Sequence, residues 1–232
     1  MRRLALWSIV ASFASAGAAV AQSGPVVIAI LPFEDRGSYG QDKQVFRALT
    51  VGIPATLAGE LSRNPRVRLA DRGRIGQAVV GQNLGPNARI DAATAAKVAS
   101  QVGARYAVTG NFADFYGKFR IDARIVDAEN GQILKVVSND DPALQDRADL
   151  SRIIQALAGK IVVAVGLPQP PGQTAGAEET VVPTEALTQY SLGLLFESQG
   201  DKGKAGEHYQ RALTAFPEYA AAREGMQRVR GP

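Results

Sequence analysis

The sequence predicts an α/β fold, a mixed sheet with helices packed on it, followed by an all-α helical hairpin at the C-terminal end. Three observations carry that expectation. Residues 26–33 (VVIAILPF) form an unbroken apolar, β-branched run, as a strand covered on both faces requires. Residues 104–138 alternate apolar and polar side chains around two glycine-bearing turns, the pattern of an antiparallel meander. Residues 149–165 carry apolar side chains at helical spacing, and everything beyond residue 183 reads as helix.

The elements follow in order. Pro32 suits the end of the first strand, because proline brings no N–H to a ladder, and EDRGSYG at 34–40 is a polar loop. Phe46, Leu49, Ile53, Leu57 and Leu61 then recur on one helical face within 43–64. Pro54 falls inside that pattern, so the helix either kinks there or restarts with Pro54 in its first turn. Residues 67–70 form a short strand, and Asp71 is placed to cap a helix starting near Arg72. An alanine-rich helix fits 91–102, and Gly103 ends it.

In the meander, Tyr106, Val108 and Phe112 share one side of the first strand. Gly117-Lys118 has the Gly-X form of a two-residue hairpin turn. Phe119, Ile121, Ala123 and Ile125 point one way, opposite Arg120, Asp122 and Arg124, and Asn130-Gly131 makes a second tight turn into 132–138. One buried face is expected for the three strands. Leu150, Ile153, Ile154, Leu157, Ile161 and Val165 make a helical stripe wide enough to cover it.

The N-terminus has the three parts of an export signal. Arg2-Arg3 is a positive start, 4–16 an apolar segment, and Ala19-Val20-Ala21 a small-x-small cleavage site. A retained membrane anchor needs about 20 apolar residues, and Ser8, Ser12 and Ser15 interrupt a shorter stretch. The expected organisation is therefore a signal peptide at 1–21, an α/β domain at 22–166, a Pro/Gly-rich linker at 167–183, and helices at 184–232. The expected location is the periplasm, peripheral to the outer membrane, with no transmembrane span left after cleavage.

Composition excludes several function classes. The formal charge of +4 falls to +2 once Arg2 and Arg3 leave with an acid-free leader. The basic residues form no block, which speaks against nucleic acid as a partner. With no cysteine, disulfides, thiolate metal sites and cysteine nucleophiles are absent. His208 is the one histidine; metal sites needing two are excluded, and the residue reads as a solvated helix position. No phosphate loop or dinucleotide fingerprint is present. The Gly-x-x-x-Gly spacings at 81–85 and 172–176 centre on Asn83 and Thr174 instead of serine. Asn139, Asp140 and Asp141 lack the ordered spacing of a calcium loop and read as a solvated strand end. Asp35, Arg36 and Tyr39 sit where the first strand of an α/β sheet ends, a common ligand position, though a structural turn is the simpler reading. No catalytic residue, cofactor or metal is expected.

Four segments carry a resemblance: IAILPFEDRG (28–37), LAGELSRNPRVRLADRGRI (57–75), VGARYAVTGNF (102–112) and RIVDAENGQIL (124–134). In that order they resemble the CsgG/HfaB-type domain, shared with FlgO-like and TolB-like amino-terminal domains. The resemblance implies a mixed sheet with packed helices and an accessory role in an envelope complex, whether secretion, curli-like or flagellar. It does not imply a pore here: the hairpin at residue 117 leaves no length for membrane strands of about 9–11 residues, and the lipid-bearing cysteine is missing.

Residues 186–222 resemble a single tetratricopeptide repeat, through Leu192-Gly193, Phe196, Gly200-Asp201, Ala205, Tyr209, Ala212 and Pro217. One repeat cannot bury its own faces. Leu192, Gly193 and Phe196 are expected to face the second helix. Leu187, Tyr190, Leu194 and Glu197 are the candidate partner-binding residues on the other side. Their cover is the third helix, the α/β domain, a second copy of the chain in a homo-oligomer, or another envelope protein. A small-ligand sensor and a carboxylate hydrolase of envelope polymers are the alternatives to a non-enzymatic assembly protein.

Overall fold

The computed structural model describes residues 24–83, 89–139, 144–169 and 181–231. The expected signal peptide and Asp140-Asp141 lie outside the described residues, as does 170–180 of the expected linker. The mixed sheet has the order β2-β1-β3-β4-β5. Its strands are β1 Val26–Asp35, β2 Val67–Leu69, β3 Tyr106–Phe115, β4 Lys118–Asp127 and β5 Ile133–Ser138. β1 pairs in parallel with β2 and β3, and β3, β4 and β5 are antiparallel. A two-residue strand, β6 Gln145–Asp146, pairs with the start of β4.

Two layers of helix cover the sheet. On one face lie α1 Lys43–Ser62 and α4 Leu150–Ala164, packed on Ile28, Phe33, Val108, Phe112 and the β4 row Phe119, Ile121, Ala123 and Ile125. On the other lie α2 Arg72–Val80 and α3 Ala92–Gln101, packed on Ala29, Leu31, Ala107 and Val126. Asp71 and Asp91 cap these two helices, accepting from the Arg74 and Thr94 N–H groups at 2.8 Å.

The structure corrects five local expectations. β1 does not stop at Pro32 but continues to Asp35, with a register shift between Ile30 and Phe33. The irregularity accommodates a residue that cannot donate to the ladder. α1 runs unbroken through Pro54 instead of restarting there. β3 is buried on both faces along Ala107, Val108, Thr109 and Gly110, because α3 covers the side opposite α1. Gly110 is required: a Cβ there would lie 2.4 Å from the Asp122 carbonyl oxygen and 2.7 Å from the Phe33 ring. Finally, the β3–β4 turn is one residue earlier than its glycine suggested. Phe115 pairs with Lys118, so the loop is Tyr116-Gly117, with φ of +56° and +89°. Both signs are positive, as a type I′ turn demands. Asn130-Gly131 likewise sits in a longer turn, closed by the Asp127 N–H donating to the Gln132 carbonyl at 2.9 Å.

The tail comprises α5 Thr184–Ser198, α6 Lys202–Ala215 and α7 Ala220–Arg230. α5 lies directly on α1. A Cβ on Gly52 would sit 2.4 Å from Ser191 Cβ, so the two helices meet without room for a side chain. Ser151 Oγ donates to the Val182 carbonyl at 2.6 Å, and Thr184 Oγ1 to that of Ala148 at 2.7 Å, tying the start of α5 to α4. At the described end of the preceding segment, Asn64 Nδ2 donates to the Pro168 carbonyl at 3.0 Å.

Candidate interaction surface

The side of the tail that needed a cover is filled by the chain itself, through the α/β domain and the third helix. Leu187 is buried in the main core, with the residues of α1 and α4. Tyr190 and Leu194 are buried in one cluster with Val51 and Ala55 of α1, Tyr219 just before α7 and Met226 of α7. Glu197 accepts from Arg228 Nε at 2.9 Å and Nη2 at 3.1 Å, and from the Tyr209 hydroxyl. Burial alone would raise the Glu197 carboxyl; the hydrogen bonds from Arg228 and Tyr209 outweigh it and hold the group below its ordinary value. Tyr209 is the hub of the tail. Cβ atoms on Gly193 or Gly225 would come within 2.4 and 2.6 Å of its ring, and burial pushes its hydroxyl far above the usual phenol range.

His208 is half-buried instead of solvated. Its ring stacks on Phe196 at 5.2 Å between centroids, and Nδ1 lies 2.8 Å from Gln189 Oε1. Burial lowers its pKa, with Arg211 adding to the effect, so it packs as a neutral ring near neutral pH.

Large apolar side chains stay exposed elsewhere, at Val80, Leu144 and Val163, along β5 at Ile133, Leu134 and Val136, and as a group of aromatic rings at the tip formed by the β1–α1 loop and the β3–β4 turn. Tyr39 is 56% exposed, Phe115 39% and Tyr116 83%. The Tyr39 ring stacks on Phe115 at 5.8 Å and on Tyr116 at 6.3 Å. Three aromatic rings thus face water as one patch.

A polar frame anchored at buried Asp114 and Ser38 holds that patch. Asp114 is 1% exposed and lies 2.9 Å from Arg147 Nη1. Its Oδ1 accepts from the Gly117 N–H at 2.6 Å and so closes the turn. The Asp114 carbonyl accepts from the Tyr39 N–H at 2.7 Å, and its N–H donates to Ser38 Oγ at 3.0 Å. Ser38 Oγ in turn donates to Asp35 Oδ1 at 2.6 Å. Arg147 also reaches Asp42, at 3.3 Å, and its N–H donates to the Gly117 carbonyl at 2.7 Å. Asp35 and Ser38 therefore shape the loop, and the sequence position noted for Asp35 and Tyr39 is joined here to Asp114 and Arg147. Arg36 sits beside them, 3.8 Å from Glu34.

Tyr116 adds a further sign. A bulky residue in the left-handed region costs about 1–2 kcal/mol, and asparagine or glycine is the chemical choice there. Tyr116 thus combines an unfavourable backbone angle with a side chain that is 83% exposed. Sequence reading missed Phe115 and Tyr116 because the turn was placed one residue late; an aromatic directly before a turn glycine was the available signal.

Little else offers chemistry. Asn139 bridges strands, accepting from the Ile121 N–H at 2.8 Å and donating to the Phe119 carbonyl at 3.0 Å. Among the described residues, no cluster of three or more His, Asp or Glu could hold a metal ion.

No protein-family model and no curated protein matches the chain. Among solved structures, it is similar to the C-terminal domain of LpoB from Escherichia coli at 16% identity, over 49% of this chain and 79% of that one, with a TM-score of 0.38. It is also similar to lipoprotein GNA1162 from Neisseria meningitidis at 18% identity, over 60% and 97% of the two chains, with a TM-score of 0.42. A third likeness is the PelC dodecamer from Paraburkholderia phytofirmans, at 16% identity over 63% and 90%, with a TM-score of 0.33.

Proposed function

We propose that the protein is an exported, non-enzymatic accessory of the bacterial cell envelope that binds another polypeptide through the aromatic tip Tyr39–Phe115–Tyr116. The observation that carries this reading is the patch itself: three stacked exposed rings on a hydrogen-bonded frame anchored at buried Asp114 and Ser38. Tyrosine offers large contact area with few rotatable bonds, and a rigid frame lowers the ordering cost of binding. Export is supported by the leader composition of residues 1–21, and in this reading the partner is a protein of the periplasm or the outer membrane. Among the described residues, no helix is long and apolar enough to cross a membrane.

Within this reading, the CsgG/FlgO-type resemblance accounts for the body, and α5–α6 is a lone tetratricopeptide-type hairpin. The crossing of Gly193 on Tyr209 supports that second assignment, with α1 and α7 standing in for neighbouring repeats.

A photo-crosslinking residue placed at Tyr116 in cells tests the proposal, with the same probe at exposed Val80 as control. The expected result is one discrete adduct from the tip and none from the control. Equal labelling from both positions, or loss of no adduct when Tyr39 is changed to Ser, refutes it.

A further inference from the structure

A second site stands apart from the aromatic tip, between α1 and α2 beside the end of β2. Here a cavity of about 280 Å³ is walled by Ile30, Leu69, Val51, Ala55 and Ile75, among others. Pro32 and Pro54 also line it, adding wall without an N–H donor. A ligand with polar groups along its length would leave them unpaired in such a site. Hydrocarbon is the chemistry that fits.

The rim is different. Arg72 lines the cavity and is exposed. It lies within the field of Glu197, but that carboxylate is already held by two hydrogen bonds from Arg228. Arg228 and Glu224 add one charge of each sign in the same neighbourhood, and of these groups Arg72 is the one that lines the cavity, setting a guanidinium at the mouth. An apolar pocket with a cation at its opening fits an amphiphile with an anionic head.

We propose that this cavity binds a single-chain fatty acid, its acyl chain between α1 and α2 and its carboxylate on Arg72. Free carboxylate and cavity depth then make separate, measurable contributions. Affinity rises about fourfold for each methylene buried, until the chain outgrows the cavity. The charge-assisted bond to Arg72 favours the carboxylate over the matching alcohol by about tenfold.

Gly76 provides the structural control. It lines the cavity, and a Cβ there meets nothing within 4 Å. Leucine therefore fits onto α2 and takes the ligand's space.

The test is calorimetric titration of the leaderless chain with octanoate, decanoate and dodecanoate, below micelle formation, and with decanol. The expected result is saturable binding that strengthens from octanoate to decanoate, with decanol about tenfold weaker. Arg72→Gln should bring decanoate and decanol to equal affinity. Gly76→Leu should abolish both without lowering the thermal midpoint. Arg72 is a surface position, so that arm stands even if Gly76→Leu fails to fold. No saturable decanoate binding, equal affinity for decanol in the unaltered protein, or decanoate binding unchanged by Gly76→Leu each overturns the proposal. Loss of partner crosslinking in Gly76→Leu without any decanoate binding would assign the cavity to a partner's side chain instead.

Discussion

Replacing Gly52 by alanine puts the docking of the tail to a direct test. The added Cβ would lie 1.8 Å from Ser191 Oγ and 2.4 Å from Ser191 Cβ. Rotating the serine hydroxyl relieves the first clash but not the second, since Cβ does not move with χ1. Ordinary contact begins near 3.4 Å, so α1 and α5 must part by about 1 Å. Overpacking of this kind costs about 1–3 kcal/mol, and here it also loosens Leu187 and Tyr190 on the same interface, which argues for the upper end. Alanine returns up to about 1 kcal/mol through helix propensity. The net expectation is a loss of about 2 kcal/mol, read as a lower urea midpoint at unchanged slope. Ser191→Gly alone should cost about 1 kcal/mol in propensity and its bond to the Leu187 carbonyl. In the double variant the clash is gone, so the two changes should couple favourably by at least about 1 kcal/mol. A Gly52→Ala protein within about 0.5 kcal/mol of the parent, or strictly additive changes, would refute the close approach of the two helices.

Three further outcomes follow from the tip and the tail. Tyr116→Asn relieves the left-handed tyrosine and should stabilise the protein by up to about 1 kcal/mol in thermal unfolding, while weakening capture of the partner by a photo-crosslinking residue placed at Tyr39. Arg147→Met leaves the Asp114 carboxylate buried without its cation and should cost about 3 kcal/mol, partly recovered by adding Asp114→Asn; chemical denaturation reads both. Glu197 has a depressed pKa in the folded chain, so its contribution is complete above the ordinary carboxylate range and is lost as pH falls through the folded value. Glu197→Gln should therefore lower stability near neutral pH and flatten its decline in acid, as followed by denaturation at a series of pH values.

Regular periodicity made most of the fold legible. The α4 stripe from Leu150 to Val165 and the β4 row Phe119, Ile121, Ala123 and Ile125 are fully local patterns, and all of those residues are buried. Single-residue effects were less visible. Gly117 could serve either position of a two-residue turn, and the choice depended on the Phe115–Lys118 register across the ladder. Pro32 reads as a strand end unless an extra residue on β1 itself, opposite β3, absorbs it. β6, two residues long, carries no periodic signal at all. For the candidate site, Asp35 and Tyr39 were visible as a strand-end loop. Asp114 and Arg147 were not, because only the folded chain brings positions 39, 114 and 147 together.

The tail shows why its cover could not be read from α5 alone. Part of the cover over Leu187, Tyr190 and Leu194 comes from α1, more than a hundred residues earlier, and α1 was read through its sheet-facing row Leu49, Ile53, Leu57 and Leu61. Its other side carries Val51, Gly52, Ala55 and Ala58, residues too small to register as an apolar stripe yet too apolar for an exposed helix face. Small side chains let a second helix approach closely, and Gly52 against Ser191 is that approach. Val51 and Ala55 go on to line the cavity beside α2. One helix thus presents the sheet with bulk, the tail with a flat surface, and the cavity with a hydrocarbon wall. A ligand seated there would press on two residues that also hold the tail, so occupancy of the cavity and the stability of α5 on α1 are physically linked.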